Sequence, residues 1–145
     1  MYKRQPQYLT NWAQWGSNFA GILRNWARCI ITWNMALDEK GRPNIGPFPC
    51  GGLVTIDSRT KEITRSGMYR ALLHYSRDIR RGARRIESSG NLEGVSHVAF
   101  ANPDGGIAAV LTNAGADKKA LLRMSGMEAE IGLPNDSVTT LTWRS

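Results

Sequence analysis

The sequence predicts an α/β segment followed by an all-β antiparallel sandwich, with the change of character falling near Arg80. Three observations predict it. Apolar residues at three-and-four spacing near the start give way directly to an unbroken apolar run. A long Gly/Pro-rich stretch then precedes a second helical pattern. Beyond Gly82, six short runs of strand-like composition alternate with turn residues.

The elements follow in order. Trp12, Trp15, Phe19, Ile22, Leu23, Trp26 and Ile30 lie on one face of a helix, so Asn11 to about Arg28 reads as amphipathic, with Trp12, Trp15 and Trp26 in the core. Gly16 and Gly21 blur its limits. Cys29 to Met35 has no polar break and is rich in Ile, Thr and Trp, as expected for a strand buried on both faces of a parallel sheet. Helix followed by buried strand is a barrel-like unit. Asp38 to Gly52 is a loop too long for a plain connection and is a candidate functional segment. Leu53–Asp57 and Glu62–Arg65 flank Ser58-Arg59-Thr60-Lys61 as a hairpin. Ser66 is an N-cap, and Met68, Ala71, Leu72, Tyr75 and Ile79 give a second amphipathic helix to about Arg80.

After Gly82 the predicted strands are Ala83–Ser88, Val95–Ala101, Gly106–Thr112, Lys118–Met124, Met127–Leu133 and Ser137–Trp143. Asn102-Pro103-Asp104-Gly105-Gly106 is a strong hairpin turn. Strands recurring at such short spacing favour an antiparallel sandwich.

Composition narrows the classes. The chain has 145 residues, 41% of them hydrophobic, which is enough for one ordinary core. Its formal net charge is +7, with Arg77, Arg80, Arg81, Arg84 and Arg85 gathered together. Such a run most often marks a solvated face, and with no nucleic-acid motif beside it no nucleic acid is expected as a partner; polyanion binding through Arg77 to Arg85 stays the minor alternative. Cys29 and Cys50 have neither CxxC nor Cys/His spacing, so no zinc site or disulfide scaffold is indicated, and their redox state stays open. No stretch reaches the ~20 apolar residues of a membrane helix, and the start does not read as a signal peptide. Tyr2-Lys3-Arg4-Gln5 is what a common sequencing-adapter end encodes, so residues 1–5 read as an assembly scar outside the fold.

Arg24-Asn25-Trp26-Ala27-Arg28 followed by Thr32-Trp33-Asn34-Met35-Ala36-Leu37-Asp38 resembles a pattern of glycoside hydrolase family 30, glucosylceramidase type, where it joins the seventh helix of a barrel to its eighth strand. The similarity continues through Gly41-Arg42-Pro43-Asn44, Leu53-Val54-Thr55-Ile56-Asp57, His74-Tyr75-Ser76 and Gly82-Ala83-Arg84-Arg85-Ile86 to Ser137-Val138-Thr139-Thr140-Leu141-Thr142-Trp143. The resemblance implies the last helix-strand-helix of a TIM (β/α)8 barrel over residues 6–80, joined to a C-terminal β-sandwich over residues 81–145. It further implies a retaining β-glycosidase that acts on a β-glucoside or related glycan or glycolipid, without a cofactor, and is secreted or periplasmic. Both catalytic carboxylates would lie upstream of Asn11, leaving this chain inactive by itself.

Retaining hydrolysis needs two carboxyl groups ~5–5.5 Å apart. Asp38 and Glu39 are adjacent and point apart. Glu128 and Glu130 would sit about 6.6 Å apart on one strand face, which reads as its wet side. Substrate contact therefore rests on other residues. Trp33 lies towards the end of the predicted strand, where barrel enzymes build their sites, and its indole suits the C–H face of a pyranose; packing under the barrel is the alternative. Asn34 points the other way and satisfies backbone or reaches sugar; Asn44 in the long loop is a further candidate at the pocket mouth. His74 and His97 lack partners at catalytic spacing and read as structural. A competing reading is a non-enzymatic sandwich module that binds glycan or protein.

Overall fold

The computed structural model describes residues 10–46 and 50–144. The reading of residues 1–5 as a scar lies outside the described residues, as does part of the predicted long loop. The order of elements is α1 (Trp12–Arg24), β1 (Ala36–Leu37), β2 (Val54–Ile56), β3 (Ile63–Arg65), α2 (Gly67–Ser76), β4 (Arg84–Ile86), β5 (Val95–Ala101), β6 (Gly106–Asn113), β7 (Lys118–Met124), β8 (Met127–Leu133) and β9 (Ser137–Arg144).

From Val95 onward the strands fall within one residue of expectation, because alternation and turn chemistry act together there. The Asn102–Gly106 turn closes β5 on β6, with Asn102 N–H donating to the Gly106 carbonyl at 2.7 Å and Gly105 at φ 80°, a conformation that favours glycine. Strands β4, β5, β6 and β9 form one antiparallel sheet in that order, and β7 pairs with β8 as a separate ribbon.

The four-stranded sheet is covered on both faces, and so β6 is buried almost throughout. Its alternating side chains serve two cores. Val98, Phe100 and Val110 face the helices and pack with Phe19, Ala20, Ala71 and Tyr75. Ala99, Ala109 and Leu111 face the ribbon and pack with Leu133, Ile131 and Trp143. Asn113, fully buried at the end of β6, donates to the carbonyls of Ala116, Leu133 and Pro134 and ties the sheet to the ribbon.

Helix α1 lies close on this sheet. A Cβ on Gly16 would stand 2.6 Å from Thr112 Oγ1 and 2.8 Å from Val138 Cγ2, so the approach requires glycine. Helix α2 starts as expected at Ser66, whose hydroxyl accepts from Tyr69 N–H at 3.0 Å. It ends at Ser76, short of the Arg80 expected, and Asn102 takes over the following segment: its side chain accepts from Arg80 N–H and donates to the Asp78 carbonyl.

Two expectations are corrected. Helix α1 stops at Arg24 rather than Arg28, because Trp26 takes a left-handed φ of 69° and closes the helix: its N–H meets the Leu23 carbonyl, and Ala27 N–H meets that of Ile22. Trp26 is consequently 76% exposed and not a core residue. The run Cys29–Met35 forms no strand; only Ala36–Leu37 does, parallel to β2. A strand needs a ladder partner along its length, and among the described residues Cys29–Met35 meets one only at its end. No helix among them is long and apolar enough to cross a membrane.

Candidate functional site

The segment between α1 and β1 keeps the burial rhythm of a strand without the ladder. Ile31, Trp33 and Met35 point outward, exposed by 89%, 77% and 77%, while Ile30, Thr32 and Asn34 are half-buried. Asn34, at φ 60°, interrupts the extended backbone. The segment is then pinned: Leu53 N–H donates to the Asn34 carbonyl and Val54 N–H to that of Met35, each at 3.0 Å. Gly52 permits this contact, since a Cβ there would lie 2.8 Å from the Val54 carbonyl oxygen and 3.1 Å from Leu37 N. The long loop therefore leaves and returns at one point, beside Trp33 and Asn34.

Of the three candidates for sugar contact, Trp33 and Asn34 stand together at the base of this loop and Asn44 lies within it. Trp33 offers an indole that nothing among the described residues covers. The Asn34 amide nitrogen is buried without a hydrogen-bond partner, an arrangement that leaves a donor unsatisfied. Asn44 Oδ1 accepts from Gly46 N–H at 3.2 Å and shapes the loop locally. The exposed indole is an apolar aromatic face, chemistry suited to the C–H surface of a sugar, while the Asn34 amide nitrogen lies buried.

The carboxylates do other things. Asp38 Oδ1 accepts from the N–H groups of Lys40 and Arg42 at 2.8 and 2.7 Å. Glu39 accepts from the Ser58 N–H and hydroxyl, both at 2.8 Å, fastening the loop to the β2–β3 turn. Those bonds, the backbone one foremost, hold the Glu39 carboxyl below its ordinary value, opposite to what a general acid needs. Glu128 and Glu130 sit on the exposed side of β8, paired with Arg123 and Lys119 at 2.7 Å each. Each of these four carboxylates thus has a hydrogen-bond or ion-pair partner. Among the described residues no group of three or more His, Cys, Asp and Glu is placed to hold a metal ion. Among the described residues neither Cys29 nor Cys50 is in a disulfide.

Both histidines have structural partners that spacing did not reveal. His74 Nδ1 lies 2.9 Å from Thr140 Oγ1, linking α2 to β9. His97 Nδ1 lies 3.0 Å from Ser88 Oγ, and Arg24 Nη1 reaches the carbonyls of both Ser88 and His97. Burial lowers the basicity of each ring, and for His97 the Arg24 charge adds to the effect. The His74–Thr140 and Arg24–His97 contacts join residues 66 and 73 positions apart, beyond any local motif.

Residues 82–141 match the family described as the glycosyl hydrolase family 30 beta sandwich domain. Over 96% of its length the chain is 31% identical to endo-1,6-β-D-glucanase BGN16.3 of Trichoderma harzianum, covering 32% of that protein. Over 77% it is 29% identical to a Caenorhabditis elegans protein named as a glucosylceramidase, covering 22% of it. The chain thus spans about a third or less of the length of these curated relatives. The solved structure of an endo-β1,6-glucanase superposes with a TM-score of 0.84 at 31% identity, over 93% of this chain and 31% of that one.

Proposed function

We propose that the chain is the C-terminal part of a retaining β-glycosidase, a reading supported by the match of residues 82–141 to the glycosyl hydrolase family 30 beta sandwich domain. Residues 6–80 close its (β/α)8 barrel and residues 81–145 form its sandwich. The catalytic carboxylates are supplied by polypeptide upstream, and hydrolysis proceeds through a glycosyl-enzyme intermediate without a cofactor. Trp33 is the sugar platform, Asn34 Nδ2 a hydroxyl-directed donor, and Asn44 part of the pocket mouth.

The observation that carries this reading is the Trp33 indole, 77% exposed in the segment that leads into β1. With Ile31 and Met35 also exposed, Trp33 belongs to an apolar patch of the kind that marks a contact site. A β-1,6-linked glucan is the first substrate, since the relative that this chain matches over 96% of its length is named for that linkage. The glucosylceramidase-named relative supports a glucosylceramide second.

The test compares an upstream-extended form of the chain on a linear β-1,6-glucan and on glucosylceramide. Preferential release of glucose or short oligosaccharides from the glucan supports the reading. Turnover of glucosylceramide alone redirects the substrate, and no turnover of any β-glucoside removes the assignment.

A further inference from the structure

A cleft of about 620 Å³ opens where the end of α1, the end of α2 and the start of β4 meet. Its volume lies within the range of roughly 300–1,000 Å³ typical of small-molecule sites. The floor is apolar, made by Leu23, Leu72, Ile79 and Phe100. Around it stand Arg28, Arg80, Arg81, Arg84 and Arg85, and none of the lining residues is acidic.

Arg85 distinguishes this cleft from a solvated basic surface. Its side chain is only 13% exposed, its guanidinium lies 4.0 Å from the centre of the Trp26 ring, and its Nε is buried with no hydrogen-bond partner. Its ion pair, with Glu87 at 3.6 Å, is made by Nη1 towards an exposed carboxylate. Among the described residues, ion pairing reaches none of the other four. A buried guanidinium nitrogen without an acceptor is costly, and the arginine charges lining the cleft favour an oxyanion there.

We propose that this cleft binds a monomeric amphiphilic anion: one apolar chain or ring system on the floor, with a phosphate, sulfate or carboxylate head among the arginines. Planar guanidinium groups pair with such heads in bidentate fashion. A nucleic acid fits less well, because its row of phosphates calls for an extended basic stripe and not an enclosed apolar floor.

Titration of the 145-residue chain with octyl phosphate below its micelle threshold, followed calorimetrically at low salt, tests this. One saturable site is expected, weakened at least tenfold in the double variant Arg81→Gln/Arg84→Gln. Both side chains are exposed, so the fold should survive, and circular dichroism checks it. Trp26→Ala should weaken binding similarly. Inorganic phosphate alone and octanol alone should each bind at least tenfold less tightly. No saturable binding, or undiminished binding by the double variant, overturns the proposal. Phosphate binding as tight as octyl phosphate reduces the cleft to a plain anion site, and binding to vesicles of phosphatidylcholine with phosphatidylglycerol but not to the monomer makes it a membrane contact; either also overturns it.

Discussion

The Tyr75 hydroxyl donates a 2.8 Å hydrogen bond to the Gly16 carbonyl, joining α2 to α1 at the point where α1 presses hardest on the sheet. One helix from before the long loop, one from after it and the four-stranded sheet thereby share an apolar core, with Tyr75 itself edge-on to Phe19 at 5.7 Å. The contact orders the chain's stability and lends itself to direct tests.

Gly16→Ala sets two effects against each other. Alanine gains about 1 kcal/mol of helix propensity over glycine. The new methyl, however, must displace Thr112, which is fully buried, and Val138; overpacking of this kind costs about 1–3 kcal/mol. Net destabilisation is expected, read as a lower urea midpoint at unchanged slope.

Burial raises the Tyr75 phenol above its ordinary value of 10.0. The unfolded chain therefore ionises first, so this contribution is complete below pH about 10 and declines as pH rises beyond it. Tyr75→Phe should lose about 0.5–1.5 kcal/mol at neutral pH and show a shallower alkaline decline than the parent. Urea midpoints from pH 8 to 11 measure both.

His74 and His97 behave in the opposite sense. Each has a folded-state basicity below the ordinary value of 6.5, burial being the main cause. Their contribution is present above pH about 6.5 and is lost as pH falls through the lower folded value. Replacing both by Gln should flatten the stability profile between pH 7 and 5, measured against the parent by thermal melts.

Trp33→Ala separates function from folding. With 77% of the side chain exposed, stability should move by no more than about 0.5 kcal/mol. In an upstream-extended protein the same change should raise KM for a β-glucoside by about tenfold, near 1.4 kcal/mol, as expected for a lost aromatic platform. An unchanged KM with a collapsed melt would place Trp33 in the structure instead.

The sandwich was legible because each strand is bounded by its own turn and alternates in its own register; β5, β7 and β8 coincide with the runs read from sequence. The Cys29–Met35 run was not, because unbroken apolar character reports burial and leaves open whether a neighbouring strand is present to complete the ladder. Trp26 misled for a different reason: a tryptophan at the left-handed closing position of a helix carries no signature, since glycine is the usual residue there. Of the proposed site, Trp33 is a candidate from its place towards the end of the Cys29–Met35 run. The unsatisfied Asn34 amide, the Arg24–Ser88–His97 cluster and the Arg85–Trp26 stack join residues through space and had no sequence signal.

The most direct measurement is hydrolysis of an aryl β-glucoside by the 145-residue chain alone, beside a form extended upstream. A glycosidase whose acids lie in the preceding polypeptide predicts no release of the aryl group by the first and steady release by the second. Turnover by the 145-residue chain would contradict the account, because every carboxylate considered for the chemistry is already committed to a turn, a loop anchor or an ion pair.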